Sequence, residues 1–158
     1  MPSAADRGRS YSRALLLLAS VVAVDQVTKA FVRSDVLVGD ENGVFPGLQI
    51  VHVKNKGVAF GALSGKPVVM IVVLAALAGL VVWFFFHSSR QYVWLPTGLL
   101  LGGALGNVVD RVRDGSVTDF LKIPLWPAFN VADMAITFGV LTLLWVLERR
   151  DDGAQEPA

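Results

Sequence analysis

Long apolar runs separated by short polar stretches dominate the chain. A helix needs about 20 mostly apolar residues to cross the hydrocarbon core of a bilayer, and four segments can be read that way. They cover about 14–32, 68–86, 93–109 and 131–147. The second is apolar throughout, while the others carry polar residues towards one end. Arg7, Arg9 and Arg13 ahead of the first run also look like the start of a cleaved secretory leader. Apolar character resumes after Gln26 and reaches Val32, so a retained first helix is expected, preceded by a cytoplasmic arm over 1–12.

The stretch between the first two spans differs in character. Turn signals at Gly39-Asp40-Glu41-Asn42-Gly43, Pro46-Gly47 and Asn55-Lys56-Gly57 separate short β-prone runs, notably Leu48-Gln49-Ile50-Val51-His52-Val53. The expected fold is an all-α membrane protein of four transmembrane helices. A small extracytoplasmic antiparallel sheet, over about 35–63, lies between the first and second. One domain covers 13–148, and the polar tail over 149–158 is expected to be disordered.

Composition strengthens the membrane reading. Hydrophobic residues make up 54% of the chain and charged ones only 17%, too little charge for the surface of a soluble domain. A net charge of +1 and the lack of a basic run argue against a nucleic-acid partner. Lysines and arginines divide evenly between the two sides, so charge counting alone leaves orientation open. The arginines before the first span favour cytoplasmic termini.

The same composition limits the chemistry. There is no cysteine, and the two histidines, His52 and His87, lie far apart in different kinds of segment. Thiolate catalysis is excluded, and neither a histidine-held metal nor a serine–histidine triad is expected. Carboxylates remain. An ionisable group inside a span is costly and faces a bundle interior or a water-filled cavity.

Asp25 and Lys29 stand four residues apart, on one helix face; they form either an intrahelical ion pair or part of a polar site. On the third helix Gly98, Gly102 and Gly106 form a ridge that another helix, or a substrate helix, could approach closely. Beside it run Gly103, Asn107 and Asp110-Arg111. Asp110 is expected to pair with Arg111, whose guanidinium suits carbonyl or phosphate-like oxygens. Asp119 lies among apolar residues in Ser116–Leu121. Asp133 opens the fourth span three residues after Asn130, so it is a helix-cap partner, a reactive group, or both. Two neighbouring aspartates do not both ionise easily: one keeps a proton while the other activates water for attack on a peptide carbonyl.

Five blocks in chain order resemble the lipoprotein signal peptidase (signal peptidase II) family. They are Val24-Asp25-Gln26-Val27-Thr28-Lys29, Asn55-Lys56-Gly57-Val58-Ala59-Phe60-Gly61, Gly102–Arg111, Val117-Thr118-Asp119-Phe120 and Phe129-Asn130-Val131-Ala132-Asp133. The resemblance covers about 12–148. It implies a multi-pass enzyme of the bacterial inner membrane that acts without a cofactor. Its substrates would be diacylglyceryl-modified prolipoproteins, cut just before the modified cysteine. It further implies a catalytic dyad of Asp119 and Asp133. Asp25, Lys29, Asn55, Gly57, Gly103, Asn107, Asp110, Arg111, Asn130 and Ala132 would line or support the site. Arg111 and Asn55 would contact the substrate main chain, and Asn107 and Asn130 would orient the dyad. Membrane lipids are the expected surroundings, the active site faces the extracytoplasmic side, and a monomer is the default. Two readings compete: a small proton-coupled transporter or channel subunit, and a non-catalytic assembly factor in which Asp133 is only a cap.

Overall fold

The computed structural model describes residues 4–56, 67–88 and 92–149. Gly57, the rest of the expected β region after residue 56, and the tail after 149 lie outside the described residues. Among those described, the order is α1 (Ala4–Asp35), β1 (Glu41–Phe45), β2 (Leu48–Asn55), α2 (Pro67–His87), α3 (Trp94–Asp114), β3 (Val117–Lys122) and α4 (Val131–Glu148).

The helices match the expected runs but extend further. α1 begins at Ala4, so the arginine-bearing stretch expected as an arm continues the helix. Nothing there breaks a helix, and Asp6 in the first turn meets the dipole and pairs with Arg9 at 2.7 Å. α3 runs past 109 to Asp114, where Gly115 ends it in the left-handed region at a φ of 68°. Two helical segments, Ala5–Asp35 and Val131–Glu148, are long and apolar enough to cross a membrane.

Burial is inverted relative to a water-soluble domain. Leu15, Leu16, Phe31, Ile71, Phe86, Phe138 and Leu144 face outward, while Asp25, Lys29 and Asp110 have no exposed surface. Charged residues are almost never fully buried unless paired, and exposed apolar surface this extensive marks a membrane or interaction face.

Close helix packing depends on glycine. A Cβ at Gly98 would lie 2.9 Å from Leu17 Cβ, and one at Gly102 would lie 2.8 Å from Val21 Cβ. The glycine ridge is therefore filled by α1 of the same chain. This corrects the expectation that it could receive a substrate helix: four-residue spacing identifies a face, not its occupant. α2 packs on α3 and leaves a cleft on each side. One, of about 500 Å³ between α1, α2 and α3, is wholly apolar in its lining side chains apart from Tyr11 and Thr97. The other, of about 440 Å³ between α2, α3 and α4, contains Asn107 and Arg111.

The sheet is antiparallel in the order β1-β2-β3. β1 and β2 meet at the expected Pro46-Gly47 turn, where Gly47 takes a φ of 90°, as the third position of a turn of this kind requires. The third strand is a correction. The sheet was expected only between the first two spans, yet β3 comes from the α3–α4 connection and pairs with β2. β3 is too short, and too interrupted by Asp119, to announce itself by alternation. Its pairing sets Val53 opposite Asp119 and Asn55 opposite Val117. This long-range strand brings Asp119 to the helix ends.

Candidate active site

The candidate residues meet where the end of α3, the start of α4 and the sheet converge. Asn130 is the N-cap of α4, with extended backbone at φ −135° and ψ −178°. Its side-chain oxygen accepts from Asp133 N–H at 2.9 Å, and Asp133 Oδ2 accepts from Asn130 N–H at 3.2 Å. Both halves of a capping box are therefore present, as the Asn130–Asp133 spacing suggests. The amide's other end donates from Nδ2 to Asp119 Oδ1 at 2.7 Å. One side chain thus touches both aspartates.

Each aspartate carboxyl has a second donor, a side-chain amide. Asn107 Nδ2 donates to Asp133 Oδ1 at 2.8 Å, and Asn55 Nδ2 donates to Asp119 Oδ2 at 3.0 Å. Asn55 reaches Asp119 diagonally across the β2–β3 pair, where side chains two register steps apart share a face. Asn107 and Asn130 thus stand where they were expected to orient the pair. Asn55, expected against the substrate, is held by Asp119 itself.

The two carboxyls have different surroundings. Asp119 is 2% exposed, and Asp133 is half-buried. Burial pushes the Asp119 carboxyl up to about 6, and the neighbouring Asp133 pushes the same way. The Asn55 and Asn130 hydrogen bonds and the Lys29 charge pull it back. Among the described residues, no group of three or more histidine, aspartate and glutamate side chains could hold a metal ion.

Behind the pair lies a buried charged layer. Lys29 Nζ lies 2.8 Å from Asp25 Oδ2, 3.1 Å from Asp110 Oδ2 and 3.0 Å from Asn107 Oδ1. Asp110 does not pair with Arg111, contrary to expectation. Adjacent helical residues point about 100° apart, so Asp110 faces α1, where Gln26 donates to it at 3.0 Å and Arg33 lies at 3.6 Å. Arg111 turns the other way, bonds the carbonyl of Asn107 at 3.3 Å, and lines the α2–α3–α4 cleft. Ala132 is fully buried and donates its N–H to Asp25 Oδ1 at 2.9 Å. Gly103 backs it so closely that a Cβ would meet Ala132 O at 2.5 Å.

Gln26 and Arg33 were not among the expected site residues. Gln26 Nε2 bridges Asp25, Asp110 and the carbonyl of Gly106. Arg33 follows Lys29 by one turn, a spacing that gives it the same face.

A family model described as signal peptidase (SPase) II matches residues 17–148. A lipoprotein signal peptidase of Moorella thermoacetica is 41% identical over 84% of this chain and 91% of its own length. Another, from Syntrophotalea carbinolica, is 40% identical over 92% of this chain and 96% of its own. A bacterial membrane enzyme solved by the in meso method at 2.3 Å superposes with a TM-score of 0.82 at 34% identity. That match covers 92% of this chain and 93% of the other.

Proposed function

The chain belongs to the signal peptidase II family, and we propose from that premise that it cleaves prolipoprotein signal peptides in the membrane with Asp119 and Asp133 as its catalytic pair. The observation that carries this reading is the bridge through Asn130. Asn130 donates from its side chain to the Asp119 carboxyl and from its backbone N–H to the Asp133 carboxyl, and each carboxyl receives a further side-chain amide donor, from Asn55 and Asn107 respectively. A cap-only role for Asp133 explains its bonds to Asn130 but not the amide that Asn107 brings to its carboxyl from α3. A proton pathway needs polar groups through the depth of the bundle, whereas these gather at one end.

In this reading Asp119, the more deeply buried member, holds the proton the pair shares. Asp133 takes a proton from water as its oxygen attacks the carbonyl carbon just before the modified cysteine. The resulting oxyanion takes its proton from Asp119. Collapse of the tetrahedral intermediate breaks the C–N bond, and the cysteine amine leaves with a proton from the pair. Arg111, at the polar end of the α2–α3–α4 cleft, is suited to hold the signal peptide's main-chain carbonyls. The apolar remainder of that cleft suits the signal helix.

The same reading has four helices spanning the bilayer over about 14–32, 68–86, 93–109 and 131–147. Both termini are cytoplasmic, and the sheet rests on the extracytoplasmic surface. The substrate carries a diacylglyceryl group, so its acyl chains remain in lipid while the scissile bond meets water at the interface. The unit is a monomer. The test is a gel-shift cleavage assay on diacylglyceryl-modified prolipoprotein, with the protein in detergent or lipid. Wild type cleaves, and folded Asp119→Asn and Asp133→Asn do not. Cleavage by either variant at the wild-type rate removes that residue from the pair, and a folded wild type inert on modified substrate ends the peptidase reading.

A further inference from the structure

Three interior charges take no part in the reaction just drawn. Asp25, Lys29 and Asp110 are wholly buried, and holding charge away from water is costly unless every group is partnered. An ammonium has three N–H donors and no acceptor. Lys29 meets three acceptors, Asp25 Oδ2, Asp110 Oδ2 and Asn107 Oδ1, at 2.8, 3.1 and 3.0 Å.

Besides the contacts with Gln26 and Arg33, each of these three residues makes a bond that leads to the catalytic pair. Asp25 Oδ1 accepts the N–H of Ala132 at 2.9 Å, and Asp110 Oδ2 accepts the N–H of Thr118 at 3.0 Å. Ala132 immediately precedes Asp133, and Thr118 immediately precedes Asp119. Each interior carboxylate thus grips the peptide just before one aspartate, and Lys29 joins the two carboxylates. The third acceptor works on direction. With Asn107 Oδ1 turned to the ammonium, its Nδ2 must face the other way, where it donates to Asp133 Oδ1 at 2.8 Å. A flipped amide would set N–H against ammonium and oxygen against carboxylate.

We propose that Lys29 is a positioning residue that fixes the separation and orientation of Asp119 and Asp133, by clamping together the two carboxylates that hold their preceding peptides. It rests on the assignment of Asp119 and Asp133 as the catalytic pair. Three acceptors satisfy any buried ammonium; what sets these apart is that they also hold the backbone N–H groups of Ala132 and Thr118 and the amide on Asp133.

The informative variant is Lys29→Met/Asp110→Asn. It removes the clamp, leaves the net charge of the layer unchanged, and keeps a side-chain oxygen for Thr118 N–H. The assay is cleavage of diacylglyceryl-modified prolipoprotein, run beside wild type and Asp133→Asn. The double variant is expected to insert and melt as a folded protein, with kcat lowered on the order of 100-fold, the loss typical of a small misplacement of reacting groups. KM stays within about threefold, because Arg111 and the apolar lining of the substrate cleft are unchanged. The limb of the pH profile at which Asp119 loses its proton also moves to higher pH. Asp119 then faces Asp133 on α4 and the amides of Asn55 and Asn130, without the Lys29 charge that opposed its protonation.

A folded double variant with wild-type kcat and an unmoved profile overturns the clamp. If the double variant does not fold, Asp25→Asn alone decides, since Asp25 uses one oxygen for Ala132 N–H and the other for Lys29, and an amide has an oxygen for only one of them. A fall in kcat on the order of tenfold supports the clamp, and wild-type kcat overturns it. An inert wild type would instead point to failure of the peptidase reading. An active wild type with a dead Asp133→Asn confines any failure to the clamp.

Discussion

Asn130 uses both ends of one amide: its oxygen caps α4 through Asp133 N–H, and its nitrogen bonds Asp119. The cap was legible from spacing, because an asparagine three residues before an acidic residue at the head of an apolar run is a helix start. The bond to Asp119 was not, since it depends on a strand pairing with no local signal. Asp25 and Lys29 were legible as a pair, yet Asp110 was matched to its neighbour in sequence rather than to its neighbour in space. The burial of Asp119 has a consequence for stability. Its carboxyl stands at about 6 when folded against an ordinary 3.8, so the folded state binds the proton more tightly than the unfolded chain. The resulting stabilisation is fully present below pH 3.8 and is lost as pH rises through 6, a change of about 3 kcal/mol. Asp119→Asn should therefore be free of a decline between pH 4 and pH 7 that the wild type shows. Melting curves of both proteins at the two pH values test this, and parallel declines would show that Asp119 is not the group held protonated.

α3 serves two partners from adjacent faces. Gly98, Gly102 and Gly106 admit α1, while Gly103 admits the first turn of α4. The sequence showed the small-residue spacing and the apolar spans, and both were found in the fold. It could not show that the ridge was already filled, or that Val117–Lys122 would join the sheet, because a partner far along the chain decides each. The first turn of α4 carries Asp133, so the fit at Gly103 bears on chemistry as well as packing. Gly103→Ala would force a methyl to 2.5 Å from Ala132 O and 2.9 Å from Ile136 Cγ1. α4 must move away, which costs about 1–3 kcal/mol by overpacking. The displacement should lower the cleavage rate on the order of 100-fold. Gly79→Ala on α2 is the control: nothing lies within 4 Å of the added carbon, and alanine favours the helix by about 1 kcal/mol. Melting and cleavage measured on both variants separate the effects, and equal activity of the two would detach Gly103 from the site.

The two ends of the molecule differ in chemistry. At one end the start of α1, the end of α2, the start of α3 and the end of α4 meet around Ala14, Phe84, Val93 and Val146, with Tyr11, Trp83 and Trp94 packed on them. Arg13 lies over the Trp94 ring at 5.8 Å, and Arg149 over Trp145 at 4.3 Å. Aromatic rings at helix ends suit either membrane–water interface, and the arginines beside them agree with the cytoplasmic side proposed for this end. The candidate site and the sheet occupy the opposite end. Charge counting along the chain could not give this orientation, because the positive residues divide evenly. The distinction emerges only when four separate helix ends assemble the aromatic ring. The chain contains no cysteine, so a single introduced thiol reports one position without ambiguity. Asn42 on β1 and Ser12 on α1 are both exposed, on opposite sides of the expected bilayer. In intact cells a membrane-impermeant maleimide should label Asn42→Cys and leave Ser12→Cys unlabelled until the membrane is permeabilised. The reverse pattern would put the Asn130-bridged pair on the cytoplasmic side, where a translocated substrate could not reach it, and the proposed reaction would lose its geometry even if Asp119 and Asp133 were correctly paired.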